Sequence, residues 1–258
     1  MKKFLIRILE KTLYEVLDHY VVTRMMPLIN KRFLNNKIFH QQMNACNATA
    51  NYINKHLSSV PFFDSIDATR DFAVKQITLT GQHLEFGVLT GYSTNFLADR
   101  IKGTLHGFDS FKGLPDDWTP EHRKGAFARP EGWLPEVRDN VELHVGYYED
   151  SLPGFAEKNR QPIAFMHIDC DLYSSTKTIF RVLGDLVVPG TIILFDEYFN
   201  AIYWQDHEIK AFHEFIREKN LGYEYLGYAG GNFCQAVVRI TEQGKGQPGL
   251  GETPLSHY

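Results

Sequence analysis

From residue 81 onward, short apolar runs alternate with stretches in which apolar residues recur at helical spacing. Residues 83–86, 104–108, 141–145, 163–168, 191–195 and 233–240 read as strands, and 92–100, 174–186 and 206–219 as helices. Strands that alternate with helices predict an α/β fold built on a doubly wound, mostly parallel sheet over residues 81–241. Residues 1–80 mix polar and apolar positions and read as an N-terminal helical extension. Phe4, Leu5, Ile8, Leu13, Val16 and Leu17 form one face of its first helix, and "QQMNACNATANYINKHL" supplies a second. Residues 242–258 are rich in Gly, Pro and polar residues, which predicts disorder. The stretch "FKGLPDDWTPEHRKGAFARPEGWLPEVRD" shows neither period. A connection of that length inside a domain is either a lid or substrate loop or a solvated insertion.

Composition narrows the class. Hydrophobic residues make up 43% and charged residues 22%, an ordinary globular balance. The net charge of −4 comes with no basic stripe, which excludes a nucleic-acid partner. Three cysteines without CxxC spacing fit neither a disulfide framework nor a thiolate zinc site, and imply a reducing, cytoplasmic setting. Arg7 and Glu10 interrupt the first apolar run too early for a signal-peptide core or a spanning helix. That helix therefore packs on the main domain or on a second subunit of a homodimer, or its Lys2, Lys3 and Arg7 bring it to a membrane surface.

Candidate chemistry begins at "HLEFGVLTGYSTNFLADRI", a strand, a glycine-bearing turn and a helix. Gly87 and Gly91 permit a tight turn and close approach to a ligand, while Ser93 or Thr94 can cap the helix. Leu89 stands where the dinucleotide fingerprint needs its middle glycine, and no Lys-Ser/Thr follows to cradle phosphate. Glu85 would repel a pyrophosphate but suits a ligand carrying ammonium and sulfonium groups. Asp109, ending the next strand, is placed to accept from a ribose diol. A nucleoside site that avoids phosphate points to S-adenosyl-L-methionine.

The segments "LEFGVLTGYST", "GFDSFKGLPDDW", "GYYEDSLP", "HIDCDLYSST" and "PGTIILFDEY" occur in this order. Together they resemble the class I S-adenosylmethionine-dependent methyltransferases of the macrocin O-methyltransferase type over about residues 80–240. The resemblance implies a Rossmann-like fold and methyl transfer to a hydroxyl of a sugar or glycosylated small molecule. It implies that Glu85, Gly87 and Ser93 face the methionine part of the cofactor and Asp109 the ribose, with Gly91 of the same turn also binding the cofactor. The adenine edge falls to Tyr148, Glu149 or Asp150.

Asp169 and the pair Asp196-Glu197 each follow an apolar strand, with one helix between them. A right-handed crossover brings both to the same carboxyl edge of the sheet. An all-oxygen set there favours Mg²⁺ or Ca²⁺ over zinc, and the resemblance implies magnesium on Asp169, Asp196 and Glu197. The family's usual pair is Asp-Asp-Tyr, whereas this chain has Asp196-Glu197-Tyr198. Asp171 reads as the cap of the helix near Ser174. The base that takes the hydroxyl proton is Asp169 or His207, while His167, inside a strand, reads as a hydrogen-bonded core residue. Tyr203 and Trp204 are candidates for the wall against a sugar. Two rival readings stand beside this one: an NAD(P)-dependent Rossmann oxidoreductase, which lacks its middle glycine and a Tyr-x-x-x-Lys pair, and a non-catalytic S-adenosylmethionine-binding protein.

Overall fold

The computed structural model describes residues 2–34, 36–230 and 234–244. Two compact units meet in sequence between Asn47 and Ala48. In the first, α1 (Lys2–Tyr20) runs through a π-helical turn, Val21–Met25, into α2 (Met26–Ile29), and a second such turn, Asn30–Leu34, precedes α3 (Lys37–His56). Pro27 lies at the start of α2, directly after the π-helical turn. Leu13, Val16, Leu17 and Tyr20 are exposed. The side chains of Phe4, Leu5 and Ile8 lie outside the described residues, as do Phe233 and the expected disorder beyond residue 244. Among the described residues no helix is long and apolar enough to cross a membrane.

The second unit holds one eight-stranded sheet. Its strands are β1 (Phe62–Phe63), β2 (Gln82–Phe86), β3 (Leu105–Asp109), β4 (Val141–Val145), β5 (Ile163–Ile168), β6 (Ile192–Phe199), β7 (Gly222–Ala229) and β8 (Cys234–Thr241). They lie in the order β1-β7-β8-β6-β5-β2-β3-β4. The pairs β4·β3, β3·β2, β2·β5 and β5·β6 are parallel, and β8 is antiparallel to both β6 and β7. The helices are α4 (Ile66–Lys75), α5 (Tyr92–Ala98), α6 (Tyr148–Lys158), α7 (Tyr173–Leu183) and α8 (Glu208–Lys219). All six residues of β5 are buried, as a central parallel strand covered on both faces requires.

Several expectations are corrected. The sheet unit starts at Ala48 rather than near residue 81, because β1 pairs with β7 and α4 packs over β6, β7 and β8. Ser65 starts α4 by accepting from the Ala68 N–H at 3.3 Å. β6 continues through Asp196 and Glu197 to Phe199, since partners described below hold the Asp196 carboxylate within the strand. β7 did not read as a strand. Gly227 sits in it where a Cβ would collide with the rings of Phe63 and Phe72, so the glycine lets aromatic side chains close over the sheet.

Candidate active site

The sheet's order reverses between β2 and β5, and their carboxyl ends open a crevice there, the place where open α/β sheets take ligands. After β2 the chain turns at Gly87, with φ +97°, a left-handed conformation that disfavours side chains. A Cβ on Gly87 would overlap the Asp169 carbonyl oxygen at the end of β5. Asp109 braces this turn. Its Oδ2 accepts from the Val88 and Leu89 N–H groups at 2.9 and 2.8 Å, and its Oδ1 from Phe111 N–H at 2.7 Å. Three of its roughly four lone-pair positions are therefore spent on backbone. The N-cap of α5 is Gly91, with φ +80° and no side-chain cap. Ser93 and Thr94, expected to cap, are buried inside the helix instead.

The acidic end is denser than its spacing implied. Asp169, Asp171 and Glu197 offer carboxylate oxygens that all lie within 4.8 Å of one another. Burial, then the neighbouring carboxylates, pushes Asp169 and Glu197 well above the usual range, and Asp171 rises to about 7 from burial, then Asp196 and Asp109. Glu197 Oε2 is buried without a hydrogen-bond partner. Asp171 does not cap a helix. The N-cap of α7 is Leu172, and Asp171 adopts φ +63°, which turns its carboxylate toward the cluster.

Asp196 is bound differently. Arg70 Nη2 reaches its Oδ1 at 3.3 Å, His167 Nε2 lies 3.5 Å from the same atom, and Gln235 donates to it as well. Burial raises the Asp196 pKa, but the pull of His167, Arg70 and Gln235 outweighs it and leaves the carboxyl below its ordinary value. Glu85 lies on the other side of the same imidazole, its Oε1 3.0 Å from His167 Nδ1, with neither side chain exposed. The parallel register sets Glu85 directly beside His167. Glu85 is thus a buried partner of His167, not a wall of the crevice, which corrects its placement against the methionine.

The crevice encloses about 430 Å³. Gly87, Ser93, Asp109, Tyr148, Glu149, Asp169 and Glu197 of the expected residues line it, whereas Glu85, Gly91, Asp150, Asp196 and His207 do not. Asp150 sits in the first turn of α6, where a carboxylate favours the helix dipole. Glu149 accepts from Thr178 Oγ1 at 3.0 Å. His207 is the N-cap residue of α8, its pKa lowered by burial. Tyr203 is exposed and Trp204 packs into the core, so neither forms the wall. That wall comes from the 111–139 stretch, an ordered loop in which Leu114 and Trp118 pack on Leu172. His122 stacks on Phe127 at 5.2 Å and Trp118 lies 5.2 Å from His122, so three rings face the crevice together.

Residues 84–198, which run from β2 to the end of the acid pair, match the family described as a methyltransferase domain. This stretch of the sheet unit is similar to a methyltransferase domain. A curated relative, the 8-demethyl-8-(2,3-dimethoxy-alpha-L-rhamnosyl)-tetracenomycin-C 4'-O-methyltransferase of Streptomyces olivaceus, is 29% identical over 146 residues, 46% of this chain. The chain spans about half the length of that relative, 53%. Two solved structures share the fold. A calicheamicin methyltransferase superposes with TM-score 0.55 at 24% identity over 67% of this chain and 77% of that one. The O-methyltransferase NovP gives TM-score 0.50 at 19% identity over 69% and 79%.

Within the sheet unit, two residues at or beside the acidic end escaped the sequence reading. Arg70 lines the crevice from α4, a helix inside what read as a separate extension. Glu208 is fully buried, and burial, then Asp171, Asp169 and Asp196, lifts its pKa well above the ordinary value. Its signal was present, since Glu208 stands four and seven residues before the buried Phe212 and Phe215.

Proposed function

We propose that this protein transfers a methyl group from S-adenosylmethionine to a hydroxyl oxygen on a sugar or glycosylated small molecule, with a divalent ion, Mg²⁺, at the acidic end. The observation that carries this reading is one crevice in which a glycine turn braced by Asp109 faces three clustered carboxylates. The Gly87 turn lets the backbone approach the donor closely, and the fourth lone-pair position of Asp109 remains for a ribose hydroxyl. Tyr148, edge-on to Phe86 at 5.7 Å, and Glu149 border the adenine end. The donor set suits a hard cation, because its ligand atoms are all carboxylate oxygens and one buried oxygen of Glu197 lacks a partner.

Asp169 and Glu197 would hold that ion. Asp196, already engaged by Arg70, His167 and Gln235, keeps the neighbouring strand in place rather than serving as a ligand. The ion would lower the pKa of the acceptor hydroxyl and hold it near the methyl group. Asp171 is placed to take the hydroxyl proton, and the rings of Trp118, His122 and Phe127 offer flat apolar faces to a sugar. The free cysteines suit a cytoplasmic setting. The exposed Leu13, Val16, Leu17 and Tyr20 of α1 provide a face for a second copy or a membrane surface.

The test is incubation with S-adenosylmethionine and a panel of glycosylated hydroxyl acceptors, following S-adenosylhomocysteine release with and without a chelator. Release that needs acceptor, falls on chelation and returns with Mg²⁺ is expected. Tight NAD(H) binding with no affinity for S-adenosylhomocysteine would overturn the reading.

A further inference from the structure

We propose that His106, Glu142 and His144 form a second metal site, for a divalent transition ion of the zinc type, on one face of the sheet at its β3–β4 edge. His106 Nδ1 lies 3.1 Å from His144 Nε2 and 3.4 Å from Glu142 Oε2. All three ligand atoms fall within 4.8 Å of one another. Bonds of about 2.0–2.1 Å in a tetrahedron put neighbouring ligand atoms about 3.4 Å apart. The two separations from His106 Nδ1 thus stand near those a zinc ion would require, and the exposed Glu142 side chain can adjust the third.

The register explains why they meet. His106 is paired with Glu142 across the parallel strands, so their side chains share a face, and His144 follows two residues later on that face. Packing fixes both rings. His144 stacks on Phe108 at 4.5 Å and 14°, and His106 meets Phe155 of α6 edge-on at 4.9 Å. Burial lowers the pKa of each, His144 adding to the effect on His106, so both are neutral imidazoles, the form that binds a metal. The facing nitrogens can share one proton. With that proton moved to the far nitrogen of His106, they present two lone pairs to an ion instead. Glu142, whose side chain is 64% exposed, supplies the third ligand and a route from solvent, leaving a fourth position for water.

Two imidazoles and one carboxylate select against Mg²⁺, which distinguishes this site from the acidic end. Its consequence is local. β4 is an edge strand, and it leads directly into Gly146, Tyr147 and Tyr148, which line the crevice. An ion bridging β3 and β4 would pin the strand from which those residues enter.

Calorimetric titration of the full chain with Zn²⁺ in excess Mg²⁺ tests the proposal, with ¹⁵N resonances of the histidine rings as the second readout. One zinc equivalent is expected, with the His106 and His144 ring nitrogens shifting together. Glu142→Gln, at an exposed position that leaves the fold intact, should bind about tenfold or more weakly, while Glu197→Gln should bind zinc as the parent does. Equal zinc affinity in the parent and Glu142→Gln, loss of binding in Glu197→Gln, or unmoved ring nitrogens would overturn it and leave the pair a hydrogen-bonded core contact.

Discussion

Replacing His167 by Gln removes the one imidazolium between two buried carboxylates. His167 and Glu85 are fully buried and the Asp196 side chain is 14% exposed. Burial, the largest influence, pushes the His167 pKa down, but the bonds to Asp196 and Glu85 outweigh it and lift the ring to about 9 from 6.5. That rise corresponds to about 3 kcal/mol of favourable interaction with the charged ring. Because the folded-state pKa lies above the unfolded one, this stabilisation is complete below about pH 6.5 and is lost as pH climbs toward 9. At pH 6 the variant should therefore lose about 3–5 kcal/mol, the cost of stranding a buried carboxylate. For a protein of this size that lowers the melting temperature by about 6–12 °C. Near pH 9.5 the gap between parent and variant should shrink by about 3 kcal/mol. Thermal unfolding of both proteins across this range, followed by tryptophan fluorescence, measures it. A gap of constant size from pH 6 to 9.5 would refute a charged His167.

Other outcomes follow from the same geometry. Gly87→Ala forces a side chain into a left-handed turn against the Asp169 carbonyl and should destabilise by more than about 1 kcal/mol, with S-adenosylhomocysteine affinity, measured by calorimetric titration, falling as well. Asp171→Asn should retain that affinity while turnover drops about 10²–10⁴-fold. In the parent, kcat/KM should climb through about pH 7 as the Asp171 carboxyl deprotonates, and this limb should vanish in the variant. Trp118→Ala should raise the acceptor KM and leave the donor KM in place, since Trp118 belongs to the loop wall packed on Leu172 rather than to the glycine turn.

The central strand β5 was legible because it is a short apolar run buried on both faces, and both it and the edge strand β4 fall on the expected boundaries. β7 was not legible, because Gly, Tyr and Glu leave it no apolar run, and Tyr225 is buried by hydrogen bonds to Tyr52 of α3 and Tyr198 of β6. The acidic end was readable as a cluster, but the division of labour inside it was not. Asp171 before Ser174 has the local pattern of a cap, and only its left-handed backbone turns the carboxylate away from that task. Glu85 was misplaced for a related reason. Strand ends in open sheets usually face the ligand, and nothing within β2 reveals that a histidine on β5 stands beside it. Arg70 depended on the fold of a helix whose own sequence carries no sign of the crevice.

The contact between Gly87 and Asp169 has a consequence for anyone who would redesign this protein. The Gly87 turn and the turn that begins the acidic cluster touch backbone to backbone, with no side chain between them to absorb a change. A graft that imports one of these turns from a distant relative would shift the other, so they must travel as a matched pair. The 111–139 loop is the separable part, and exchange of acceptors is best sought there.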